Sequence, residues 1–452
     1  PFLDDVREVY GEAESGTSAI PVHEVDPTTY DVRVVAALDD GRRALLAGFY
    51  QTTPDDALVL HLYNEALQAG WVDPLLLHRA AIERRRERGE LGPFTGVLTA
   101  ATLHERLRAR FGPRRVYSPS QLNTYGQCPF RFFAQRVLRL EKREEASLDL
   151  VALDRGYLLH AILHDFFERH ARGSLMPERR HEYREEMARV AERIFSEYEQ
   201  KALPINRALW ELEKAEILDT LIQFLDAEIA YQRQTEGRMR PYWLELGFGM
   251  GPEDRERCHP DSRRDPLVLR RAVASSGRAR AIVEEDRIQI RGRIDRVDRS
   301  DEGRYIAYDY KSGSGASVEE IEEGVDLQLP LYILALERLF LRPGEEVIGG
   351  GYYSIRTGKR TRGLYRREAA ALTAIGERAR SSLPTPEWEE RLARAESFAW
   401  QYVEGMRGGD FRVRPRSVRV CQRCEFRAVC RFDPYQARFA MKDSPSPSEE
   451  WE

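Results

Sequence analysis

Two aspartates and a lysine have types and spacing that could do chemistry. Asp295 lies just before a turn-forming stretch at 298–304, and Asp309 and Lys311 lie just after it. If the two sides form a symmetric hairpin, Asp295 lies opposite Asp309, and side-chain alternation puts Lys311 on the same face. Opposed carboxylates roughly 5 Å apart repel each other unless a cation lies between them. The pattern therefore predicts a divalent cation site, beside an ammonium that orients water or stabilises negative charge on a phosphate.

The residues around this triplet leave a second interpretation open. An exposed hairpin face with a solvated ladder of ion pairs explains the same side chains, because the Asp-x-Lys triplet is common. Arg291 and Arg293 lie beside the carboxylates and either contact phosphate or neutralise Asp295. Asp298 faces away from Asp295 and is predicted to be a turn or salt-bridge residue.

Four of the five cysteines form another pattern, with Cys128 far upstream of a Cys421-x-x-Cys424-x-x-x-x-x-Cys430 triplet. An odd number of cysteines and the lack of a secretion signal argue against a disulfide framework. Four thiolates suit a 4Fe-4S cluster or structural zinc, and buried thiols without a ligand are the third possibility. A bound group would tie together two distant parts of the chain. Cys258 has no matching partner and is interpreted as incidental.

Composition excludes several classes of protein. The 452 residues include 70 basic and 75 acidic side chains, so a nucleic-acid site must be a local basic groove. No apolar run is long enough to span a membrane, and no G-x-x-x-x-G-K-[ST] loop suggests ATP hydrolysis. Only six of the basic residues are lysines, so Lys311 stands where this chain usually has arginine. The absence of a start methionine and a signal segment favours a cytoplasmic fragment of a longer polypeptide.

Three regions are predicted along the chain. Residues 1–115 form a separate module, residues 116–432 carry the motifs, and residues 433–452 form a disordered acidic tail. The first region has strand-like segments at 30–38 and 44–50 and helical periodicity at 54–88. In the second region, periodicity predicts helices at 156–170, 177–202, 207–234 and 318–340, and strands at 242–250, within 268–311, at 347–355 and at 361–365. Ser118 is predicted to cap a helix that begins with Pro119.

Five motifs in order resemble the PD-(D/E)XK nuclease superfamily, and within it the RecB-like group. They are Gly156-Tyr-Leu-Leu-His160, Tyr242-Trp-Leu-Glu245, Gly292-Arg-Ile-Asp295-Arg-Val-Asp298, Asp309-Tyr-Lys311-Ser-Gly and Gln328-Leu-Pro-Leu-Tyr332. The cysteine pattern resembles the iron–sulfur staple of AddB-type helicase–nuclease subunits. This resemblance covers about residues 95–432, and the residues before it could be the end of a helicase-like region.

The resemblance implies a fold and a set of site residues. The fold is α/β, a restriction-endonuclease-like core in which helices flank a mixed sheet, with a 4Fe-4S staple and an N-terminal accessory module. Mg²⁺ or Mn²⁺ is held by His160, Glu245, Asp295, Asp309 and the backbone carbonyl of Tyr310. Lys311 aligns the nucleophile, and Gln328 and Tyr332 position the active site or contact DNA. The cluster ligands are Cys128, Cys421, Cys424 and Cys430.

Three of these residues have plainer interpretations. Glu245 could be an exposed carboxylate at a strand end, and Tyr332 could be a packing residue. His160 with His164 could suggest a zinc pair, but that motif needs glutamate where Ala161 stands, so the zinc pair is rejected.

The implied function is that of a metal-dependent DNA exonuclease. It acts mainly on single strands supplied by an ATP-driven AddA-like helicase, in double-strand break processing for recombinational repair. Two alternatives remain. One is a stand-alone iron–sulfur nuclease like those of CRISPR adaptation, and the other is a catalytically inactive subunit that binds DNA ends.

Overall fold

The computed structural model describes residues 56–70, 75–88, 90–141, 152–170, 173–201, 206–251, 253, 258–273, 284–422, 424–430 and 432. The strands predicted at 30–38 and 44–50 and the predicted tail at 433–452 lie outside these residues. The chain divides into two compact units, Pro1–Thr95 and Gly96–Glu452. The three-part division predicted from the sequence stays a prediction.

The first unit contains two described helices, α1 (Asp56–Gln68) and α2 (Leu76–Glu87), and a 3₁₀ turn at Pro93–Thr95. The helical periodicity predicted at 54–88 is thus confirmed as two helices. In the described ranges of the chain, no helix combines the length and the apolar character that crossing a membrane requires.

The described strands of the second unit are β1 (Val116–Tyr117), β2 (Arg240–Phe248), β3 (Leu267–Val273), β4 (Glu284–Ile290), β5 (Gly292–Arg299), β6 (Arg304–Lys311), β7 (Glu346–Ser354), β8 (Arg362–Arg366) and β9 (Ser382–Leu383). They form a mixed six-stranded sheet in the order β2-β5-β6-β7-β8-β9 and a three-stranded sheet in the order β1-β4-β3. The pairs β6–β7, β8–β9 and β1–β4 are parallel, and the other pairs are antiparallel.

Helices cover both faces of the large sheet, as strand β6 makes clear. Its odd residues Tyr305 and Ala307 pack in one hydrophobic cluster with Leu331, and its even residues Ile306 and Tyr308 pack in a second cluster. The helices are α3 (Ala101–Arg110), α4 (Pro119–Gln127), α5 (Pro129–Phe132), α6 (Ala152–Arg169), α7 (Arg180–Lys201), α8 (Arg207–Gln234), α9 (Val318–Glu322), α10 (Gln328–Ala335), α11 (Ala370–Thr373), α12 (Thr385–Arg407), α13 (Val418–Gln422) and α14 (Arg427–Cys430). The predicted mixed sheet flanked by helices is confirmed, and the Ser118 side chain caps α4 as expected.

Two predicted elements are interrupted. The segment predicted to form strands within 268–311 is divided between the two sheets. The change comes at Arg291, whose backbone N–H donates to the Tyr117 carbonyl of β1. The helix predicted at 318–340 breaks between α9 and α10, where Gly324 has a φ of +74°. A Cβ at Gly324 would lie 2.5 Å from the Phe398 ring, so the break needs a residue without a side chain.

A fully buried ion network fixes strand β5 to helix α8. Nε of Arg296 lies 2.5 Å from Oδ1 of Asp298, and a terminal nitrogen of Arg296 lies 2.7 Å from Oε1 of Glu228. Arg360 pairs with the other oxygen of Glu228. Burial raises the pKa of Glu228, but the two guanidinium groups outweigh burial and hold that pKa below its usual range. The prediction that Asp298 is a salt-bridge residue is confirmed, and the network holds in place the strand that carries Asp295.

Candidate metal centre

The hairpin formed by β5 and β6 has the register predicted from the sequence. Pairing runs from Arg299 with Tyr305 to Arg296 with Tyr308, so the next pair in this register is Asp295 with Asp309. At that end, Oδ2 of Asp295 accepts the backbone N–H of Tyr310 at 2.7 Å. This bond orients the Asp295 carboxylate.

Asp309, Lys311 and Gln328 form one connected polar group. Asp309 is only 3% exposed. Nζ of Lys311 lies 2.6 Å from Oδ2 of Asp309, and Nε2 of Gln328 donates to Oδ1 of Asp309 at 2.5 Å. Lys311 also donates to Oε1 of Gln328 at 3.1 Å, so the first residue of α10 holds both members of the β6 pair.

Lys311 is a cation at neutral pH. Burial lowers its pKa, but the Asp309 carboxylate outweighs burial and raises that pKa above its ordinary value, with a smaller contribution from Asp295. An ammonium in this position donates hydrogen bonds and stabilises negative charge. It cannot accept a proton from water.

Three other side chains converge beside Asp309. Ligand atoms of His160, Glu245 and Asp295 all lie within 4.8 Å of one another. Nδ1 of His160, on α6, lies 3.7 Å from Oδ2 of Asp295. Glu245 lies on β2, where the pairs flanking it place it opposite Asp295, and its φ is +52°. Asp309 is not in this group of three, because its carboxylate is turned toward Lys311 and Gln328.

Burial and the Asp295 charge raise the pKa values of Asp309 and Glu245. Burial raises the pKa of Asp309 to about 7, with a further increase from Asp295 that Lys311 partly offsets. Burial raises the pKa of Glu245 to about 8, again with a contribution from Asp295, while Arg293 lowers it. Oε2 of Glu245 and Oδ2 of Asp309 make no aligned hydrogen bond with the described residues, although a cationic nitrogen lies 2.6 Å from each.

This arrangement fits a hard divalent cation. Buried carboxylates with open lone pairs and an imidazole nitrogen are a donor set for Mg²⁺ or Mn²⁺. Ligands on opposite sides of one Mg²⁺ lie about 4 Å apart, and the 3.7 Å between Nδ1 of His160 and Oδ2 of Asp295 is within that distance. A bound cation would also offset the burial and the repulsion that raise the pKa values of Asp309 and Glu245.

The other predicted site residues lie around this centre. Nε of Arg293 lies 2.6 Å from Oε2 of Glu245, and Arg291 is exposed where the chain changes sheets. Tyr332 is buried, and its hydroxyl accepts a hydrogen bond from Gln328 at 3.1 Å. Tyr310 lies between Asp309 and Lys311 on β6. The DNA contacts predicted for Arg291, Arg293 and Tyr332 stay predictions. The contact of the Tyr310 carbonyl with a metal also stays a prediction.

The buried partners of Arg296 were not predicted from the sequence. Glu228 and Arg360 lie more than sixty residues away from Arg296 in either direction. No local periodicity links such positions. Glu228 lies four residues after Phe224 and three after Leu225, both buried on the same helix. This spacing is a signal for a buried charge, but it does not identify the partners of that charge.

The four cysteines of the second pattern line one small cavity. Backbone hydrogen bonds bring the two segments together, since Arg416 donates to the Gln127 carbonyl at 2.8 Å and Phe130 donates to the Arg412 carbonyl at 3.2 Å. The Cys128 sulfur follows helix α4, and the other three come from α13, the loop after it, and α14. The fold therefore unites residues almost 300 positions apart.

Repulsion among these thiols favours a bound cationic group. Burial raises the pKa of Cys421 to about 11, and the other three thiols add to that rise. A cationic group in the cavity would relieve this repulsion. Four thiolates are a donor set for structural zinc as well as for an iron–sulfur cluster, so the lining residues fit both.

The model of the PD-(D/E)XK nuclease superfamily matches residues 116–431. This chain belongs to that superfamily. The matched residues contain the candidate metal centre, the ion network and all four cysteines of the cavity.

Curated relatives of this PD-(D/E)XK chain are named as a subunit of an ATP-dependent helicase/deoxyribonuclease. The protein from Desulfitobacterium hafniense is 29% identical over 232 residues, which are 50% of this chain and 17% of that protein. The Symbiobacterium thermophilum protein is 29% identical over 269 residues, 55% of this chain and 20% of that protein. The Clostridium novyi protein is 24% identical over 383 residues, 73% of this chain and 31% of that protein. The chain thus spans less than a third of the length of these relatives.

We expect the affinity of this PD-(D/E)XK centre for Mn²⁺ to rise between about pH 6 and pH 8.5, because protons compete with the cation for the carboxylates. With pKa values of about 7 for Asp309 and about 8 for Glu245, each competing proton reduces affinity up to about tenfold per pH unit below its pKa. Calorimetric titration in buffers of different ionisation enthalpy measures both affinity and proton release.

Two matched variants distinguish Mn²⁺ bound at this site from Mn²⁺ bound by carboxylates on the protein surface. Glu245→Gln should flatten the upper part of the pH profile, and Asp301→Asn, in the exposed turn of the same hairpin, should leave it unchanged. An affinity that does not vary with pH would contradict the assignment of these carboxylates as ligands.

Proposed function

We propose that this chain is the nuclease part of a helicase-dependent enzyme and hydrolyses DNA phosphodiester bonds with Mg²⁺ or Mn²⁺. The observation that carries the proposal is the convergence of His160, Glu245 and Asp295 beside the buried pair of Asp309 and Lys311. Membership of a nuclease superfamily supports the reaction class. Two carboxylates with pKa values near or above neutrality support a site that is incomplete without a cation.

Each residue has a proposed part in the reaction. Asp295, Asp309, His160 and Glu245 would hold the cation, with the Tyr310 carbonyl as a further ligand. When bound, a divalent cation activates water and offsets the charge that develops on the phosphate. Lys311 donates to the attacking water or to a phosphate oxygen. Gln328 keeps the Lys311 ammonium in position, and Arg291, Arg293 and Tyr332 are proposed to contact the DNA.

The substrate and partner follow from the relatives. Their name joins a helicase to a deoxyribonuclease, and the 452 residues here contain no phosphate-binding loop of the G-x-x-x-x-G-K-[ST] type. We therefore propose that an ATP-driven AddA-like protein feeds single-stranded DNA to this site. Exonuclease action in double-strand break processing, a cytoplasmic location and an N-terminal accessory module within residues 1–115 belong to the same proposal.

The cysteine cavity is proposed to hold a 4Fe-4S cluster. Four thiols line one cavity and form a complete ligand set for such a cluster. One of them lies 293 positions before the next, unlike the two close cysteine pairs of most zinc sites. The backbone amides of Arg131, Arg414 and Phe130 also donate toward the Cys128 sulfur, as expected for a thiolate that carries negative charge when ligated. The cluster would clasp the two ends of the nuclease region.

The nuclease proposal predicts that Asp309→Ala lowers divalent-cation-dependent cleavage of single-stranded DNA by at least about 100-fold, because the variant loses a proposed metal ligand. Asp301→Ala, in the exposed turn between the same two strands, should cleave like the wild type. Cleavage of labelled oligonucleotides is measured with and without the helicase partner. The proposal fails if the wild type does not cleave DNA with its partner present, or if Asp309→Ala cleaves DNA as fast as the wild type.

The cluster proposal predicts about four iron and four acid-labile sulfide per chain after anaerobic purification. Cys421→Ala should lose both, because it removes one ligand. Cys258→Ala should keep both, since Cys258 is not among the residues of the cavity. Elemental analysis decides between the metals, and stoichiometric zinc without iron would overturn the assignment.

A further inference from the structure

An exposed tyrosine lies one helical turn before the proposed metal ligand His160. Tyr157, on α6, is 54% exposed, although helix residues that follow it are buried. The buried face of α6 is formed by Leu158, Leu159, Ile162, Leu163, Phe166 and Phe167. Residues three apart on a helix are neighbours, with Cβ atoms about 5–6 Å apart. The Tyr157 ring therefore stands on the open side of α6, next to the metal centre.

The helix surface at Gly156, the residue before Tyr157, is open. Among the described residues, no atom outside its chain neighbours and the backbone of its own helix lies within 4 Å of a Cβ built at Gly156. Glycine inside a helix costs roughly 1 kcal/mol relative to alanine, and Gly156 lies within the regular helix Ala152–Arg169. Packing against the described residues does not explain this glycine. It leaves open space next to Tyr157 and one helical turn before His160, which a group that is not part of the chain can occupy.

Tyr157 makes no hydrogen bond or ring contact with another residue in the described part of the chain. The neighbouring His160 ring, in contrast, meets the Tyr310 ring edge-to-face at 5.7 Å between centroids. Single exposed apolar side chains are normal on protein surfaces. Here the exposed ring coincides with an open gap and with a cluster of metal-ligand atoms one turn away.

We infer that Tyr157 is a stacking platform for a nucleobase of single-stranded DNA, adjacent to the phosphate at the metal centre. This inference rests on the proposed function and adds the residue that holds the substrate. The phenol ring offers its π-face to any base, so binding at this position is tolerant of sequence. The gap at Gly156 admits the nucleotide. An exonuclease must accept every sequence in turn, and a stacking contact meets that requirement better than hydrogen bonds to base edges.

Tyr157 differs from the arginines near the site in the kind of affinity that it supplies. Stacking adds affinity that does not depend on counterion release, whereas arginine contacts with phosphate set the salt dependence of binding. Loss of the ring should therefore shift the plot of log affinity against log salt without changing its slope. Loss of a phosphate contact should change the slope itself.

The test measures binding of an oligothymidylate that carries one 2-aminopurine, by fluorescence anisotropy and base fluorescence. It uses the full chain with Mg²⁺, in a Lys311→Ala background so that the DNA is not cut. Tyr157→Ala should weaken binding roughly 5- to 100-fold at every salt concentration, with the slope unchanged and the quenching of 2-aminopurine lost. Tyr157→Phe should bind within about twofold of the Tyr157 protein, because stacking needs the ring and not the hydroxyl.

Leu212→Ala is the matched control, since Leu212 is 62% exposed on helix α8 and lies outside the site. This variant should leave the affinity for DNA, the slope with salt and the 2-aminopurine quenching unchanged. The inference is overturned if Tyr157→Ala binds like its parent, if Tyr157→Phe is as defective as Tyr157→Ala, or if Tyr157→Ala impairs only assembly with the helicase partner. Failure of the proposed function is a separate result, namely absence of cleavage by the chain with Tyr157 and Lys311 intact.

Discussion

The electrostatic cost of placing three carboxylates together is the constraint on which the rest of this structure depends. Asp295, Glu245 and Asp309 come from adjacent strands, and two of them are almost fully buried. Burial and mutual repulsion raise the pKa values of Asp309 and Glu245 well above their usual range. Such a cluster destabilises a protein that does not use it. A divalent cation turns the same arrangement into a binding site.

The fold supplies the rigidity that this cluster needs. Strands β6 and β7, at the centre of the large sheet, are covered on both faces. The Arg296 network anchors β5 to α8 through fully buried charges. Removing one partner from such a network leaves an unpaired buried charge, which typically costs about 3–5 kcal/mol. At the other side of the sheet, Gln328 begins α10 and binds both Asp309 and Lys311. The site residues are therefore positioned by strands and helices and not by loops.

Much of this centre could be predicted from the sequence, because strand alternation and a short turn determine the register. The pairing of residues 296–299 with 305–308 agrees with the hairpin symmetry that places Asp295 opposite Asp309. The break at Gly324 and the change of sheets at Arg291 could not be predicted, since tertiary contacts with Phe398 and Tyr117 decide them. The Glu228–Arg296–Arg360 network could not be predicted for the same reason. Periodicity identifies a face, but not the distant charge that meets it.

Anomalous diffraction from crystals soaked in Mn²⁺ tests the metal centre most directly. We predict a manganese peak bonded to Asp295 and to at least two of His160, Glu245 and Asp309, with the Lys311 ammonium beside it. Manganese bound only elsewhere, or an Asp295 carboxylate too far from the other three to share an ion, would contradict the assignment of these residues as one cation site.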